Sequence, residues 1–131
     1  THRMSSAASD VYKRQSLDNK DIKEIGYKEK SEDLVLRLAS LAKESGLDGI
    51  VCSAQEISLI KRKLGEDFIL VVPGIRLDED NKNDQKRTMS PKNAIDEGAD
   101  LLVIGRPITE SNDPKNTIYK ILKNIKNDTK D

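Results

Sequence analysis

Two apolar runs in this chain end in the same chemistry. Val71-Val72-Pro73-Gly74-Ile75-Arg76 and Val103-Ile104-Gly105-Arg106-Pro107 each finish in glycine and arginine, and a charged stretch containing Asp84-Gln85 lies between them. Glycine lets a ligand approach the backbone closely. Arginine offers a planar fork of donors matched to phosphate or carboxylate. On two successive parallel strands these ends would form a phosphate site. The Gly105 N–H would face phosphate oxygens, Arg106 would add a bidentate charge-assisted pair, and Pro107 would fix the turn just beyond. Gln85 could donate an amide N–H. Residue spacing by itself leaves the ordinary alternative open, in which the glycines are turn residues and the arginines and the loop are solvated.

Such a site needs strands to carry it and helices to support them. From Ser31, a cap residue followed by Glu32 and Asp33 in a first turn, the pattern Leu34, Val35, Leu38, Leu41, Ala42 predicts a helix that stops at Gly46. Gly49–Cys52 reads as a buried strand. Ser53-Ala54-Gln55-Glu56 fits a capping box, and Ile57, Ile60 and Leu64 continue that helix to Gly65. Ile69–Val72 is a second strand. After the polar loop from Gly74 to Met89, Ser90-Pro91 opens a short helix that Gly98 closes. Leu101–Ile104 is a third strand. Asp113-Pro114 begins a last helix with Ile118, Ile121, Leu122 and Ile125 at helical spacing. Strands that are continuously apolar and alternate with helices predict an α/β fold with a parallel sheet covered on both faces. Three strands do not close a barrel. The pattern therefore reads as part of a larger α/β protein, with a small open sheet as the alternative.

Composition narrows the function. The chain has 131 residues, with 23 Lys+Arg against 23 Asp+Glu, so net charge is zero and a general nucleic-acid binder is disfavoured. A single cysteine, Cys52, excludes an internal disulfide and a cysteine-based zinc cluster, and suits a reducing cytoplasm. No apolar run is long enough for a membrane span. With one Phe and no Trp the core must be aliphatic. Residues 1–15 lack periodicity and caps, and are set aside as a non-native or disordered leader resembling translated adapter sequence. The domain is taken as 16–131. The only histidine, His2, falls in the leader, which argues against a histidine base or ligand. Cys52 reads as a small core residue, Ser53 as a cap, and Lys61-Arg62-Lys63 as the solvated face of a helix.

Four strings in order, Gly46-Leu47-Asp48-Gly49-Ile50-Val51-Cys52-Ser53-Ala54-Gln55-Glu56, Pro73-Gly74-Ile75-Arg76, Asp84-Gln85-Lys86-Arg87 and Ile104-Gly105-Arg106-Pro107-Ile108-Thr109, resemble the carboxy-terminal part of the bacterial orotidine 5′-phosphate decarboxylase family. The resemblance runs from about Ser16 to Ile125. It implies a partial (β/α)8 TIM barrel, the last three βα units supplying strands six to eight. It also implies decarboxylation of orotidine 5′-phosphate (OMP) to UMP, the final step of pyrimidine (UMP) biosynthesis, with no metal or organic cofactor. By the same match Gln85 and Arg106 grip the substrate phosphate, the Gly105 N–H assists, Arg76 contacts substrate, and Ser16 contacts the pyrimidine. Gln15 replaces the threonine expected just before Ser16.

The family's reacting lysines and aspartates follow an Asp-x-Lys-x-x-Asp pattern that this chain lacks. Asp18-Asn19-Lys20-Asp21 lies in the wrong place for it. No catalytic residue is assigned, and the chain by itself is expected to be inactive. The resemblance further implies a cytoplasmic homodimer acting on a small molecule, with no nucleic-acid or membrane partner. The alternatives are a sister sugar-phosphate decarboxylase on the same barrel and a non-enzymatic phosphate-binding module.

Overall fold

The computed structural model describes residues 9–10, 19–24, 26, 28, 30–77 and 89–126. In chain order the elements are β1 (Ser9–Asp10), α1 (Asn19–Glu24), α2 (Ser31–Glu44), β2 (Gly49–Val51), a 3-10 turn (Ala54–Glu56) leading into α3 (Ile57–Leu64), β3 (Ile69–Pro73), α4 (Pro91–Asp96), β4 (Leu101–Val103), α5 (Arg106–Thr109) and α6 (Pro114–Lys126). All strands are parallel, in spatial order β1-β2-β3-β4. The α/β class and the parallel sheet are as expected. Among the described residues the sheet has four strands where three were expected, because Ser9 and Asp10, inside the expected leader, pair with Ile50 and Val51.

The predicted helix stops and caps hold with one exception. Ser53 and Glu56 form the reciprocal capping box, the Ser53 N–H donating to Glu56 Oε2 at 3.0 Å. Ser90 Oγ accepts from the Asn93 N–H at 3.2 Å, with Pro91 at the first helical position. Asp113 Oδ1 accepts from the Asn116 N–H at 3.0 Å. Ser31, however, is not a cap. It is the first residue of α2, and its own N–H donates to Asn19 Oδ1 of α1 at 3.0 Å. A side chain twelve residues upstream thus satisfies an orphan donor.

The helices cover one face of the sheet. Ile50, Leu70 and Val72 are fully buried against Val35 and Ala39 of α2 and Ile57 and Ile60 of α3, with Leu102 and Ile104 packed at the margin. Successive strand residues point to opposite faces. The register Val71↔Leu101 and Pro73↔Val103 therefore puts Ile69, Val71, Leu101 and Val103 on the other face. There Leu101 is 57% and Val103 50% exposed. The expectation of a sheet covered on both faces is corrected: among the described residues the second face has no cover. The predicted stripes are trimmed too, since Leu41 of α2 and Ile118 and Leu122 of α6 are exposed, and α6 buries only Ile121 against its neighbours α4 and α5.

Two close approaches fix the strand starts. At Gly49 a Cβ would stand 2.2 Å from the Ile69 carbonyl oxygen, so no larger residue fits beside β3. The second involves Lys61, which was expected to be solvated and is buried. The last turn of α3 faces the β3–β4 entry, where the Lys61 ammonium donates to Glu66 O (2.7 Å), Phe68 O (3.2 Å) and Asp100 Oδ2 (2.9 Å). These three acceptors make burial of the charge tolerable. Asp100 Oδ2 also accepts from the Leu70 N–H at 2.8 Å, and the Asp100 N–H donates back to Leu70 O at 3.1 Å.

Cys52 packs in the core just beyond β2, its N–H donating to Val71 O at 3.0 Å. Burial, and secondarily the Glu56 carboxylate, push its thiol up to about 12.

Two outcomes follow from these contacts. Asp100→Ala removes one of the three acceptors of the buried Lys61 ammonium and the acceptor of the Leu70 N–H, and should cost about 1–2 kcal/mol in urea unfolding followed by circular dichroism. For Cys52 the folded chain holds a proton that the unfolded chain releases near its ordinary value. The thiol's contribution to stability is therefore full below about pH 9 and falls as pH rises toward about 12. The difference between wild-type and Cys52→Ala unfolding free energies should shrink across that window, and a flat difference would contradict the burial.

Candidate functional site

The carboxyl ends of β3 and β4 lie side by side, paired up to Pro73↔Val103. In open α/β sheets and (β/α)8 barrels, ligands sit beyond this end of the strands. Past Pro73 the backbone turns through Gly74 at φ +77°, a left-handed conformation that favours glycine. The turn delivers Ile75, which is fully buried and forms a parallel bridge with Met89. The Arg76 N–H donates to Met89 O at 3.1 Å, which anchors the backbone that carries the guanidinium. Arg76 is half-buried, and its Nη1 donates to Ile75 O at 3.1 Å, so the side chain lies along its own strand end.

Beside it, Ile104 and Gly105 leave β4 and enter α5 at Arg106. Gly105 O accepts from the N–H groups of Ile108 (2.8 Å) and Thr109 (3.1 Å), which fixes the Gly105–Arg106 peptide. Gly105 and Arg106 are both exposed. Among the described residues nothing stands within 4 Å of the place a Gly105 Cβ would occupy, so the backbone there can be approached closely. Pro107 does not terminate the strand end as a separate turn. It sits within the first turn of α5, where its missing N–H is no loss.

Three of the residues predicted for the site, Arg76, Gly105 and Arg106, therefore come from the same end of two adjacent parallel strands. Gln85 and Ser16 lie outside the described residues. The arrangement offers two guanidinium groups and an accessible glycine, a donor set for an anion with several oxygens. Among the described residues this set of strand ends offers no nucleophile. Cys52 follows the neighbouring strand β2, but its thiol is buried and protonated at neutral pH. Among the described residues no group of three or more His, Cys, Asp or Glu is placed to hold a metal ion, and no helix is long and apolar enough to cross a membrane.

The part played by Met89 is not visible in any residue pattern. Its contribution is a main-chain carbonyl, and no side-chain pattern reports which carbonyl receives the Arg76 N–H. Nor does a local pattern report the Asp100 clamp at the other end of the strands, although a lone acid stands directly before an apolar run.

Comparison with known proteins identifies the family to which the fold belongs. The model of the "Orotidine 5'-phosphate decarboxylase / HUMPS family" matches residues 11–121. An orotidine 5'-phosphate decarboxylase of Coxiella burnetii is 55% identical over 111 residues, 85% of this chain and 47% of the relative. One from Neisseria meningitidis is 53% identical over 100 residues, 76% of this chain and 41% of the relative. The chain thus spans about half the length of the curated relatives it matches. Among solved structures, the orotidine 5'-phosphate decarboxylase of Lactobacillus acidophilus superposes with a TM-score of 0.69 at 34% identity, over 84% of this chain and 44% of the other. With a family model matched over most of its length and its strand-end glycines and arginines brought together, the chain belongs to the orotidine 5′-phosphate decarboxylase / HUMPS family.

Proposed function

We propose that this chain, over residues 16–131, is the carboxy-terminal part of an orotidine 5′-phosphate decarboxylase. Its β2, β3 and β4 correspond to strands six to eight of a (β/α)8 barrel, with the two-residue β1 pairing ahead of them, and it supplies the half of the site that grips the substrate phosphate. The observation that carries this is the parallel pairing of β3 with β4, which sets the Arg76 and Gly105-Arg106 ends next to each other. Relatives at 49–55% identity that bear the decarboxylase name favour this reading over a sister sugar-phosphate decarboxylase.

In the reaction the bond between C6 of the pyrimidine and its carboxylate breaks. Carbon dioxide leaves, the electron pair stays at C6, and a proton delivered to C6 completes UMP. The family's lysine and aspartates for that step have no counterpart in this sequence, so they belong to the remainder of the barrel. The residues here act on the other end of the substrate. Arg106 and Gln85 bind the phosphate oxygens and the Gly105 N–H adds a third donor. Arg76 contacts substrate from the neighbouring strand, and Ser16 reaches the pyrimidine. Binding energy from a phosphate remote from the reacting carbon favours the transition state when it is realised only in the assembled site. The enzyme works in the cytoplasm as a homodimer without metal or organic cofactor, and the chain without its other half has no turnover.

The test is Arg106→Ala in an enzyme completed with the missing half. Losing a charge-assisted pair to the phosphate should lower kcat/KM for OMP by about 3 kcal/mol, roughly two orders of magnitude. The same substitution should leave the much slower reaction of orotidine, which has no phosphate, nearly unchanged. An unaltered kcat/KM for OMP, or an equal loss with both substrates, would rule out the phosphate grip.

A further inference from the structure

Along α6 the residues that meet neighbouring elements are Thr117, Ile121 and Asn124, spaced at i, i+4 and i+7. Ile121 is buried and the two polar residues are half-buried. A helix that only covered a core would carry aliphatic side chains at all three positions. Each polar residue instead holds a different neighbour. Thr117 Oγ1 lies 2.7 Å from Ser111 Oγ, in the connection that leaves α5. Asn124 Oδ1 accepts from the Lys92 N–H, in the first turn of α4, at 3.0 Å. The same helix packs against both α4 and α5. It therefore ties the element that begins at Arg106 to the element that follows Met89.

The start of α4 is where such a bond has the most to do. α4 has six residues, too few to hold its own place as a helix. Pro91, fully buried, has no N–H to satisfy. The Asn93 N–H goes to Ser90 Oγ at 3.2 Å, and the Lys92 N–H goes to Asn124. Of these two bonds only the second comes from another element. Met89 stands directly before the Ser90 cap, and its carbonyl receives the Arg76 N–H at 3.1 Å. We infer that Asn124 is a positioning residue for Arg76. It sets where α4 begins and, through Met89, where the backbone of Arg76 is held. This line of contacts reaches the strand end from α6 without passing through the sheet. Because α6 also follows Arg106, one helix spaces the two arginine-bearing backbones. The value of that spacing to the reaction rests on the reading of Arg76 as a substrate contact.

Amide hydrogen exchange on the full 131-residue chain tests this. Asn124→Leu removes the acceptor at similar volume, and Asn124→Asp keeps it. In Asn124→Leu the amides of Lys92 and Arg76 should exchange about tenfold faster than in the wild type, as a local opening. The Leu70 amide, held by Asp100 at the other end of β3, should be unchanged. Asn124→Asp should restore slow exchange at both Lys92 and Arg76. Acceleration at Lys92 without Arg76 overturns the inference. So does equal acceleration at Leu70, which marks a general loss of stability, or failure of the aspartate to rescue. Should Asn124→Leu not fold, Asn124→Ala is read at the same amides. The effect on the reaction is read in an enzyme completed with the missing half. There Asn124→Leu should raise KM for OMP severalfold and Asn124→Asp should not. An unchanged KM beside faster Arg76 exchange overturns the role toward substrate. The exchange measurement uses no substrate, so its outcome stands apart from that of Arg106→Ala, on which the proposed function turns.

Discussion

The reciprocal bond between Leu70 and Asp100 sets the register on which the site depends. Each main chain donates to the other residue, one to a carbonyl and one to a carboxylate, and the Lys61 ammonium balances the charge from inside. β3 and β4 are short, so whatever fixes their first rung fixes their last. A slip of one residue would turn every side chain to the opposite face. Leu101 and Val103 would then face the helices, and Gly105 and Arg106 would no longer stand level with the end of β3. An ion pair with only its lysine buried is weak as a source of net stability, because desolvation of the ammonium and solvent at the Asp100 carboxylate offset much of the attraction. Its geometric demand is strict, and here that demand is placed on strand alignment.

The second constraint is solvation. Parallel sheets are stable when both faces are dry, and the described residues dry one. The same alternation that sends Leu70 and Val72 into the aliphatic core sends Ile69 and Val71 the other way. The exposed leucine and valine of β4 are not isolated surface residues. They continue a single apolar layer across paired strands.

Most of the fold was legible from sequence because its punctuation is local. Ser53 with Glu56, Ser90 with Pro91 and Asp113 with Pro114 announce helix starts through bonds spanning three residues or fewer. The features that local patterns do not report depend on distant partners. Ser31 looked like a cap because serine commonly is one, but the bond that matters comes from Asn19. Lys61 looked solvated because charge runs on helices commonly are, but three acceptors contributed by the α3–β3 connection and by Asp100 draw it in. In the site, the glycine-arginine pairing at each strand end was readable, while the anchoring of Arg76 by the Met89 carbonyl was not.

That anchor also separates two kinds of change. The Ile75–Met89 bridge and the Arg76-to-Met89 bond close the chain upon itself before and after residues 78–88. Whatever sequence occupies the interval, β3 and α4 meet it at a fixed gate. Lengthening a closed loop costs only about 0.6 kcal/mol for each doubling, and none of that cost reaches the strand register. The interval can thus gain, lose or exchange residues through evolution while the sheet beneath it keeps its alignment. The backbone that carries Arg76 is thus held by Met89 and not by whatever lies between them.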